Sequence, residues 1–160
     1  DVKASWTIEK HQLMALDEIV AEANKYPARL IVITGGEPLI YDLTFLTKAL
    51  KQNGFQINIE TSGAYPISGE LDWICVSPKK FKMPLNDVLA KANELKCIIY
   101  NKSDFKFAEK NSQHCAEKCK LFLQPEWSKK EPITPLIVDY VKEHPKWQIS
   151  VQTHKYMDIP

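Results

Sequence analysis

Apolar runs rich in β-branched residues alternate along the chain with stretches whose apolar positions recur every three to four residues. The runs predict buried strands, and the recurring pattern predicts amphipathic helices. The first helix is predicted over residues 8–26, with Thr7 as a partial N-cap and Pro27 at its end. The other predicted helices cover residues 42–53, 85–95, 104–118 and 134–143. The predicted strands cover residues 30–34, 57–60, 73–77, 97–100, 120–123 and 147–152.

Strands that alternate with helices in this way build a parallel sheet with crossover helices. The predicted fold class is therefore α/β, with a predominantly parallel sheet that forms an open sheet or a partial, TIM-like barrel. A chain of 160 residues suffices for one domain with a sizeable core and is short for two. We expect a single domain over residues 1–160.

Composition excludes several classes of function. The hydrophobic fraction of 44% and the charged fraction of 26% are those of an ordinary globular protein. A net charge of +1 gives no electrostatic basis for binding nucleic acid or an anionic membrane. No apolar run approaches the roughly 18 residues of a membrane span, and the polar N-terminus lacks the apolar core of a signal peptide.

Four cysteines in a chain without a secretory signal predict a reducing, cytoplasmic compartment and no structural disulfides. Cys75 and Cys97 lie inside apolar runs, so we expect small buried thiols there. Cys115 and Cys119 stand four residues apart on a predicted helix and are expected to form a surface pair. A zinc or redox role for this pair lacks a third and a fourth ligand.

Polar or glycine-rich residues follow the predicted strands at their carboxyl ends. Ligands bind at this edge in parallel α/β folds because the loops there vary over a rigid sheet. Five such ends in register predict a ligand pocket. The ends are Thr34-Gly35-Gly36-Glu37-Pro38, Glu60-Thr61-Ser62-Gly63, Ser77-Pro78-Lys79, Gln124-Pro125-Glu126 and Gln152-Thr153-His154-Lys155.

The first of these ends is the most informative. Gly35 and Gly36 lack Cβ atoms, so the backbone there can approach a ligand closely. Glu37 supplies a carboxylate that can bind a cationic amine, and Pro38 rigidifies the exit. No Gly-Lys-Ser/Thr follows, which excludes a phosphate-binding loop. Taken alone, the same tetrapeptide also suits an ordinary turn with an exposed glutamate.

Five motifs in order resemble a known family. GGEP at a strand end resembles the S-adenosylmethionine (SAM) motif of the radical SAM superfamily, where it meets the methionine amino group. IETSG (59–63), VSPK (76–79), LQPE (123–126) and VQTHK (151–155) follow in the order seen in 7-carboxy-7-deazaguanine synthases. The opening DVKASW resembles the segment after the last cluster cysteine of that family, and the terminal Ile159-Pro160 resembles its short tail. The resemblance covers essentially all 160 residues.

This resemblance implies a radical SAM barrel and a lyase of queuosine biosynthesis, a tRNA modification pathway. Such an enzyme converts 6-carboxy-5,6,7,8-tetrahydropterin to 7-carboxy-7-deazaguanine with loss of ammonia. The implied cofactors are a [4Fe–4S] cluster, SAM and Mg2+, and the implied reductant is a flavodoxin or ferredoxin. A homodimer is implied, with neither nucleic acid nor membrane as a partner. The cofactors carry the radical chemistry, and the protein positions them.

Carried over residue by residue, the resemblance assigns binding roles. The residues implied for SAM are Gly35, Gly36 and Glu37 at the methionine end, with Thr61, Ser62, Ser77, Lys79 and Gln124 around the rest. The residues implied for the pterin are Thr34, His154 and Pro160. The terminal carboxylate of Pro160 would accept N–H bonds from the amino-pyrimidine edge of the pterin.

Two departures from the family pattern change these expectations. The Cys-x3-Cys-x2-Cys motif that ligates the cluster is absent, because Phe122 stands where a third cysteine would follow Cys115 and Cys119. We therefore expect the cluster cysteines just before Asp1, with the N-terminal strand and cluster loop missing from this chain. Val2 replaces a hydroxyl residue of the Mg2+ site, so Mg2+ would rely on backbone, substrate and water oxygens.

Two alternative functions fit the same motifs. One is another radical SAM enzyme such as a glycyl-radical activase, against which the QTHK end argues. The other is a SAM-binding regulatory protein that has lost its cluster. Three cysteines at x3 and x2 spacing upstream of Asp1 would favour catalysis over the regulatory function.

Overall fold

The computed structural model describes residues 13–158 of the chain. Its centre is a sheet of six parallel strands whose spatial order is the order of the sequence. The strands are β1 (Leu30–Ile33), β2 (Gln56–Thr61), β3 (Trp73–Val76), β4 (Glu94–Ile99), β5 (Lys120–Pro125) and β6 (Trp147–Ile149). Within the described residues β1 and β6 do not pair, so the sheet is open. The predicted α/β class and open parallel sheet are confirmed.

Helices connect most of these strands and cover one face of the sheet. They are α1 (Leu16–Asn24), α2 (Thr44–Gln52), α3 (Asn86–Lys91), α4 (Ser103–Ser112), α5 (Lys130–Glu143) and α6 (Thr153–Tyr156), with short 3-10 turns at Pro38–Ile40 and Trp127–Lys129. Right-handed crossovers that always advance in the same direction place their helices on one face. In agreement with this rule, α2, α3, α4 and α5 pack against β2, β3, β4 and β5.

The hydrophobic core lies between these helices and the sheet. Alternate residues of β2 and β4 point into it, and Ile57, Ile59, Leu95, Cys97 and Ile99 are fully buried there. Burying one large aliphatic side chain contributes roughly 1.5–3 kcal/mol. A shift of one residue would turn all of these side chains away from the core, so the core fixes the register of the strands.

The crossover helices leave the opposite face of the sheet free, and we call it the helix-free face. The alternating residues Asn58 and Glu60 of β2, and Lys96 of β4, lie on this face. The strands β2 and β4 therefore carry polar residues at alternate positions on this face, whereas their apolar runs predicted strands that are apolar throughout. The physical reason is that only one side of each strand meets the helical layer.

Helix α1 is shorter than its predicted span. Thr7 and residues 8–12 lie outside the described residues. Within the described part the helix begins at Leu16, where the Glu18 carboxylate accepts a hydrogen bond of 2.7 Å from the Ala15 N–H. A side chain that reaches back in this way satisfies a backbone donor left over at the helix start.

The boundary between α3 and β4 differs from the prediction of a helix over residues 85–95. The helix ends at Lys91 and the strand begins at Glu94. Asn93 forms two hydrogen bonds with Ile74 of β3. Its backbone N–H donates to the Ile74 carbonyl at 3.0 Å, and its side-chain oxygen accepts from the Ile74 N–H at 2.9 Å. These two bonds attach the chain to the sheet three residues earlier than its apolar run indicates.

Helix α4 ends at Ser112 rather than at residue 118. The side chains of Asn111 and Ser112 turn back onto carbonyl groups of the helix, at 2.8 and 2.9 Å. Polar side chains that bond the local backbone compete with helix continuation.

Helix α5 begins at Lys130, four residues before its predicted start, because Pro132 is tolerated in the first helical turn.

The cysteines separate into confirmed and wrong predictions. Cys75 and Cys97 are buried as predicted, and burial raises the pKa of Cys97 to about 12. The prediction that Cys115 and Cys119 form a surface pair on a helix is wrong. Both follow the end of α4, Cys119 is buried in the core, and Cys115 is half-buried against the same cluster. All four thiols are free.

Within residues 13–158 no helix is long and apolar enough to cross a membrane.

Candidate functional site

The turn after β1 exposes its backbone at the carboxyl edge of the sheet. Thr34, Gly35 and Gly36 are all exposed. Gly35 has φ +138°, a conformation that side chains disfavour, and a Cβ placed there would meet no atom within 4 Å. The backbone of this turn therefore faces open space that a ligand can enter.

Glu37 joins this turn to the end of β2. One carboxylate oxygen accepts hydrogen bonds from the Thr61 hydroxyl at 2.6 Å and from the Leu39 N–H at 3.2 Å. The other accepts from the Ser62 N–H at 2.7 Å and from the Ser62 hydroxyl. Hydrogen bonds to a carboxylate are about twice as strong as neutral ones. We call these contacts of Glu37 with Thr61 and Ser62 the Glu37 bridge.

The end of β3 lies directly beside the end of β2. Ser77 is buried, and its N–H donates to the Thr61 carbonyl over 2.7 Å. The half-buried Lys79 ammonium donates to the Ser77 hydroxyl over 3.2 Å. Burial lowers the pKa of Lys79, the charge of Lys96 lowers it further, and Glu60 partly offsets both. A half-buried cation of this kind favours an anionic ligand group.

Gly63 permits the close approach of these two strand ends. Its φ is +77°, and a Cβ there would lie 2.9 Å from a Val76 methyl carbon and 3.0 Å from the Pro84 Cβ. A side chain at this position would push β2 away from β3. The glycine of the ETSG motif therefore has a packing role in addition to its conformational one.

Gln124 and His154 occupy the other half of the carboxyl edge. Gln124 is buried at the end of β5, and its side-chain oxygen accepts a hydrogen bond of 3.0 Å from the Ser150 hydroxyl. His154 is exposed on α6. Tyr156 of that helix meets the Trp127 ring edge-on at 5.0 Å, which attaches α6 to the loop after β5.

The structure thus brings some predicted site residues into direct contact and leaves others apart. Glu37, Thr61 and Ser62 are hydrogen-bonded to one another, as are Ser77 and Lys79. Gln124 and His154 follow strands of the same edge without a direct contact to this group. Pro160 lies outside the described residues. The ligands of all these residues remain predictions.

One charged pair at this site escaped the sequence analysis. Glu60 of β2 and Lys96 of β4 form an ion pair of 2.7 Å on the helix-free face, across the intervening strand β3. The lysine side chain is only 15% exposed, whereas the glutamate is 44% exposed. The alternation of polar and apolar residues in QINIE (56–60) and ELKC (94–97) was the signal that could have revealed this pair.

Two surface grooves lie away from the strand ends. One, of about 630 Å3, runs between α1 and α2, and the other, of about 650 Å3, runs between α4 and α5. Among their lining residues, Lys102 of the second groove is the one that lies in a loop of the carboxyl edge. The carboxyl edge is the better candidate for a ligand site, because parallel α/β folds bind ligands at this edge and polar groups converge there. Both grooves are instead gaps between helices of the helical layer.

The described residues do not fit a metal cluster. No group of three or more His, Cys, Asp or Glu side chains within residues 13–158 is arranged to hold a metal ion. Cys75 and Cys97 are also too deeply buried to serve as accessible ligands.

An open sheet of sequential parallel strands, with a glycine turn fastened to the next strand at its carboxyl edge, matches the fold of a radical SAM enzyme. The fold is similar to the crystal structure of QueE from Escherichia coli, with a TM-score of 0.77 and 32% sequence identity. That similarity covers 87% of this chain and 64% of the QueE chain.

Curated relatives identify the family. The chain is 55% identical over 160 residues to the 7-carboxy-7-deazaguanine synthase of Flavobacterium psychrophilum, covering all of this chain and 76% of the relative. It is 41% identical over 159 residues to the enzyme of the same name from Synechocystis sp., covering 99% of this chain and 76% of that relative. The chain belongs to the 7-carboxy-7-deazaguanine synthase family.

These comparisons confirm the predicted family and, with it, the predicted class of enzyme, a radical SAM lyase. No protein-family model matches the chain. The chain spans about three quarters of the curated relatives and less than two thirds of the QueE chain.

Proposed function

We propose that this chain holds SAM and the pterin in an enzyme that converts 6-carboxy-5,6,7,8-tetrahydropterin to 7-carboxy-7-deazaguanine with loss of ammonia. The Glu37 bridge carries the proposal, because it joins the GGEP and ETSG motifs at one point of the carboxyl edge. One domain over residues 1–160 is part of this proposal. It is supported by two core clusters that share Ile33, Leu46 and Leu71 as peripheral members.

The methionine end of SAM would bind at the turn after β1. The Glu37 oxygens already accept four hydrogen bonds from protein groups, so they are poor direct acceptors for a further donor. The SAM amine would instead bind the exposed backbone carbonyl groups around Gly35 and Gly36. Glu37 would hold this turn in place and add a negative charge beside the amine.

The remaining SAM contacts would come from the next strand ends. Lys79 and Ser77 present an ammonium and a hydroxyl 3.2 Å apart, which suits a carboxylate or a ribose hydroxyl. The oxygen of Gln124 is occupied by Ser150, so its amide NH2 is the group that can donate to a ring nitrogen of adenine.

The pterin would lie toward Thr34, His154 and the terminal carboxylate of Pro160. Thr34 and His154 are both exposed at the edge and accessible to a ligand. Bound SAM and a [4Fe–4S] cluster supply radical chemistry in such an enzyme. The expected cluster cysteines precede Asp1, and the Mg2+ position at Val2 is outside the described residues.

We assign a flavodoxin or ferredoxin as reductant and a homodimer on the family resemblance. We also propose a reducing, cytoplasmic environment, in which cysteines remain free thiols.

The test is anaerobic reconstitution of the natural full-length protein with iron and sulfide, followed by an assay with SAM, dithionite and 6-carboxytetrahydropterin. The proposal predicts 7-carboxy-7-deazaguanine and ammonia, with SAM recovered unchanged. A protein that cleaves SAM but leaves the pterin untouched would instead be another radical SAM enzyme. One that binds SAM but no iron would be a regulatory protein, and either result contradicts the proposal.

A further inference from the structure

Charge is distributed unevenly along the carboxyl edge of the sheet. The loops after β3, β4, β5 and β6 cover residues 77–85, 100–102, 126–129 and 150–158. They contain six lysines against Glu126 and Asp158, which is a charge of +4 in a chain whose total is +1. We call these four loops the basic edge.

Aromatic rings, rather than carboxylates, contact three of these six lysines. The Lys82 ammonium lies 3.5 Å from the Tyr65 ring centroid, and Lys129 lies 5.6 Å from that of Tyr100. Lys155 lies 5.4 Å from the Trp127 ring, which Lys130 approaches from the start of α5 at 3.9 Å. A cation–π contact orients a lysine without cancelling its charge.

Several lysines elsewhere in the described part of the chain are instead paired with carboxylates. Lys25, Lys51, Lys142 and Lys146 each form an ion pair with a carboxylate. On the basic edge Lys80 is the exception, since it pairs with the buried Asp104. The edge therefore presents oriented and largely uncompensated positive charge.

The basic edge also carries exposed aromatic residues. Lys79 and Lys82 form an isolated antiparallel bridge, so the chain between them makes a tight turn. Phe81 stands on that turn with 90% of its surface exposed, and Tyr100 in the next loop is 50% exposed. Aromatic residues are enriched at protein-binding surfaces relative to the rest of a protein surface.

The basic edge is also close to the proposed SAM site. It begins at Ser77, one of the proposed SAM contacts. Neighbouring strands lie roughly 4.8 Å apart, so the β4 end is about 14 Å from the β1 end, where the glycine turn lies. A protein bound here would sit over the carboxyl edge.

We propose that the basic edge is the docking surface for a small, acidic electron-carrier protein. This inference rests on the proposed function, because radical SAM chemistry requires a one-electron donor. Such a donor must reach the carboxyl edge, and the basic edge is the part of that edge whose charge would attract an acidic partner. Complementary charge accelerates encounter and selects the partner, and salt weakens both effects.

The test compares two double variants of the natural full-length protein. K82E/K129E reverses the charge at two exposed lysine positions of the basic edge that contact no proposed ligand. K48E/K118E makes the same change of net charge at two exposed lysines outside the basic edge. Binding of a purified, oxidised flavodoxin is followed by its flavin fluorescence at about 50 mM and about 500 mM salt, a range over which the Debye length shortens several-fold.

We expect K82E/K129E to weaken flavodoxin binding at least tenfold at low salt, with a smaller difference at high salt. We expect K48E/K118E to change it less than twofold. In reconstituted enzyme, K82E/K129E should raise the KM for reduced flavodoxin and leave the dithionite-driven rate unchanged.

Equal losses in both variants would mean that only net charge matters, and would overturn the inference. So would unchanged flavodoxin binding in K82E/K129E. Absence of dithionite-driven turnover in the wild type would contradict the proposed function instead, and the binding measurement would still decide the docking surface.

Discussion

Among single residues, Glu37 connects more of the candidate site than any other side chain described above. It accepts hydrogen bonds from Thr61, Ser62 and Leu39, two of them from backbone N–H groups that cannot reverse their direction. A hydroxyl can turn to accept from a new donor, but a backbone N–H cannot. Any replacement must therefore supply two acceptors.

We expect Glu37→Gln to lower the free energy of unfolding by about 1–3 kcal/mol, because the amide NH2 would face a backbone donor. SAM affinity should fall as well, since the turn after β1 loses its attachment to β2. Urea denaturation and isothermal titration calorimetry with SAM measure the two effects. Glu70→Gln, an exposed change in the loop before β3, is the control and should stay within about 0.5 kcal/mol. Equal SAM affinity in Glu37→Gln and the wild type would contradict the structural role of the bridge.

The same residue shows how far sequence reasoning reaches at this scale. The strand-end rule predicted that GGEP and ETSG lie on one edge, and the structure places them in contact. It did not predict that Thr61 and Ser62 would occupy the Glu37 oxygens, since a hydrogen-bond partner depends on the register between β1 and β2. The Glu60–Lys96 pair was missed for a similar reason, because it joins strands separated by a third.

Among the elements, the contact of α4 with α5 and β6 depends on one carboxylate. Glu109 of α4 accepts hydrogen bonds from Tyr140 at 2.9 Å, Trp147 at 2.8 Å and Lys146 at 2.6 Å. Burial alone would raise the pKa of Glu109, but these three donors lower it below its ordinary value of 4.5. The carboxylate therefore stabilises the folded state while it is ionised.

We expect Glu109→Gln to reduce the free energy of unfolding by about 1–2 kcal/mol at pH 7. A pKa that is lowered on folding contributes stability above the unfolded pKa, and this stability is lost as pH falls through the folded pKa. The difference between wild type and Glu109→Gln should therefore shrink as pH falls below about 4.5. Denaturation series at several pH values measure it, with the exposed Glu117→Gln as a control. A difference that stays constant with pH would mean that the Glu109 charge contributes nothing.

Element boundaries were the least predictable part of the fold. The order and type of the principal strands and helices followed from apolar periodicity alone. The ends of α3 and α4 did not, because Asn93, Asn111 and Ser112 bond the backbone through side chains that carry no periodic signal. The start of β4 moved for the same reason, from Cys97 to Glu94.

For the molecule as a whole, the sequential strand order separates stability from ligand binding. One face of the sheet meets the helices and carries the core, while the carboxyl edge gathers polar groups. Leu123 and Gln124 are neighbours on β5, and they represent the core and the carboxyl edge respectively. Leu123 is fully buried in the core, and Gln124 bonds Ser150 at the edge.

This separation predicts opposite results for two adjacent substitutions. Leu123→Ala leaves a cavity in the core and should cost about 2–5 kcal/mol of unfolding free energy. Gln124→Ala loses one neutral hydrogen bond, costing about 0.5–1.5 kcal/mol, and should weaken SAM binding roughly tenfold because about 1.4 kcal/mol of binding free energy is lost with the donor to adenine. Thermal unfolding and calorimetric titration of SAM, both performed on folded protein below the transition of Leu123→Ala, separate the two effects. If Gln124→Ala proved as destabilising as Leu123→Ala and bound SAM normally, Gln124 would belong to the structural half of the sheet. In that case the carboxyl edge beyond β3 would have no demonstrated part in SAM binding.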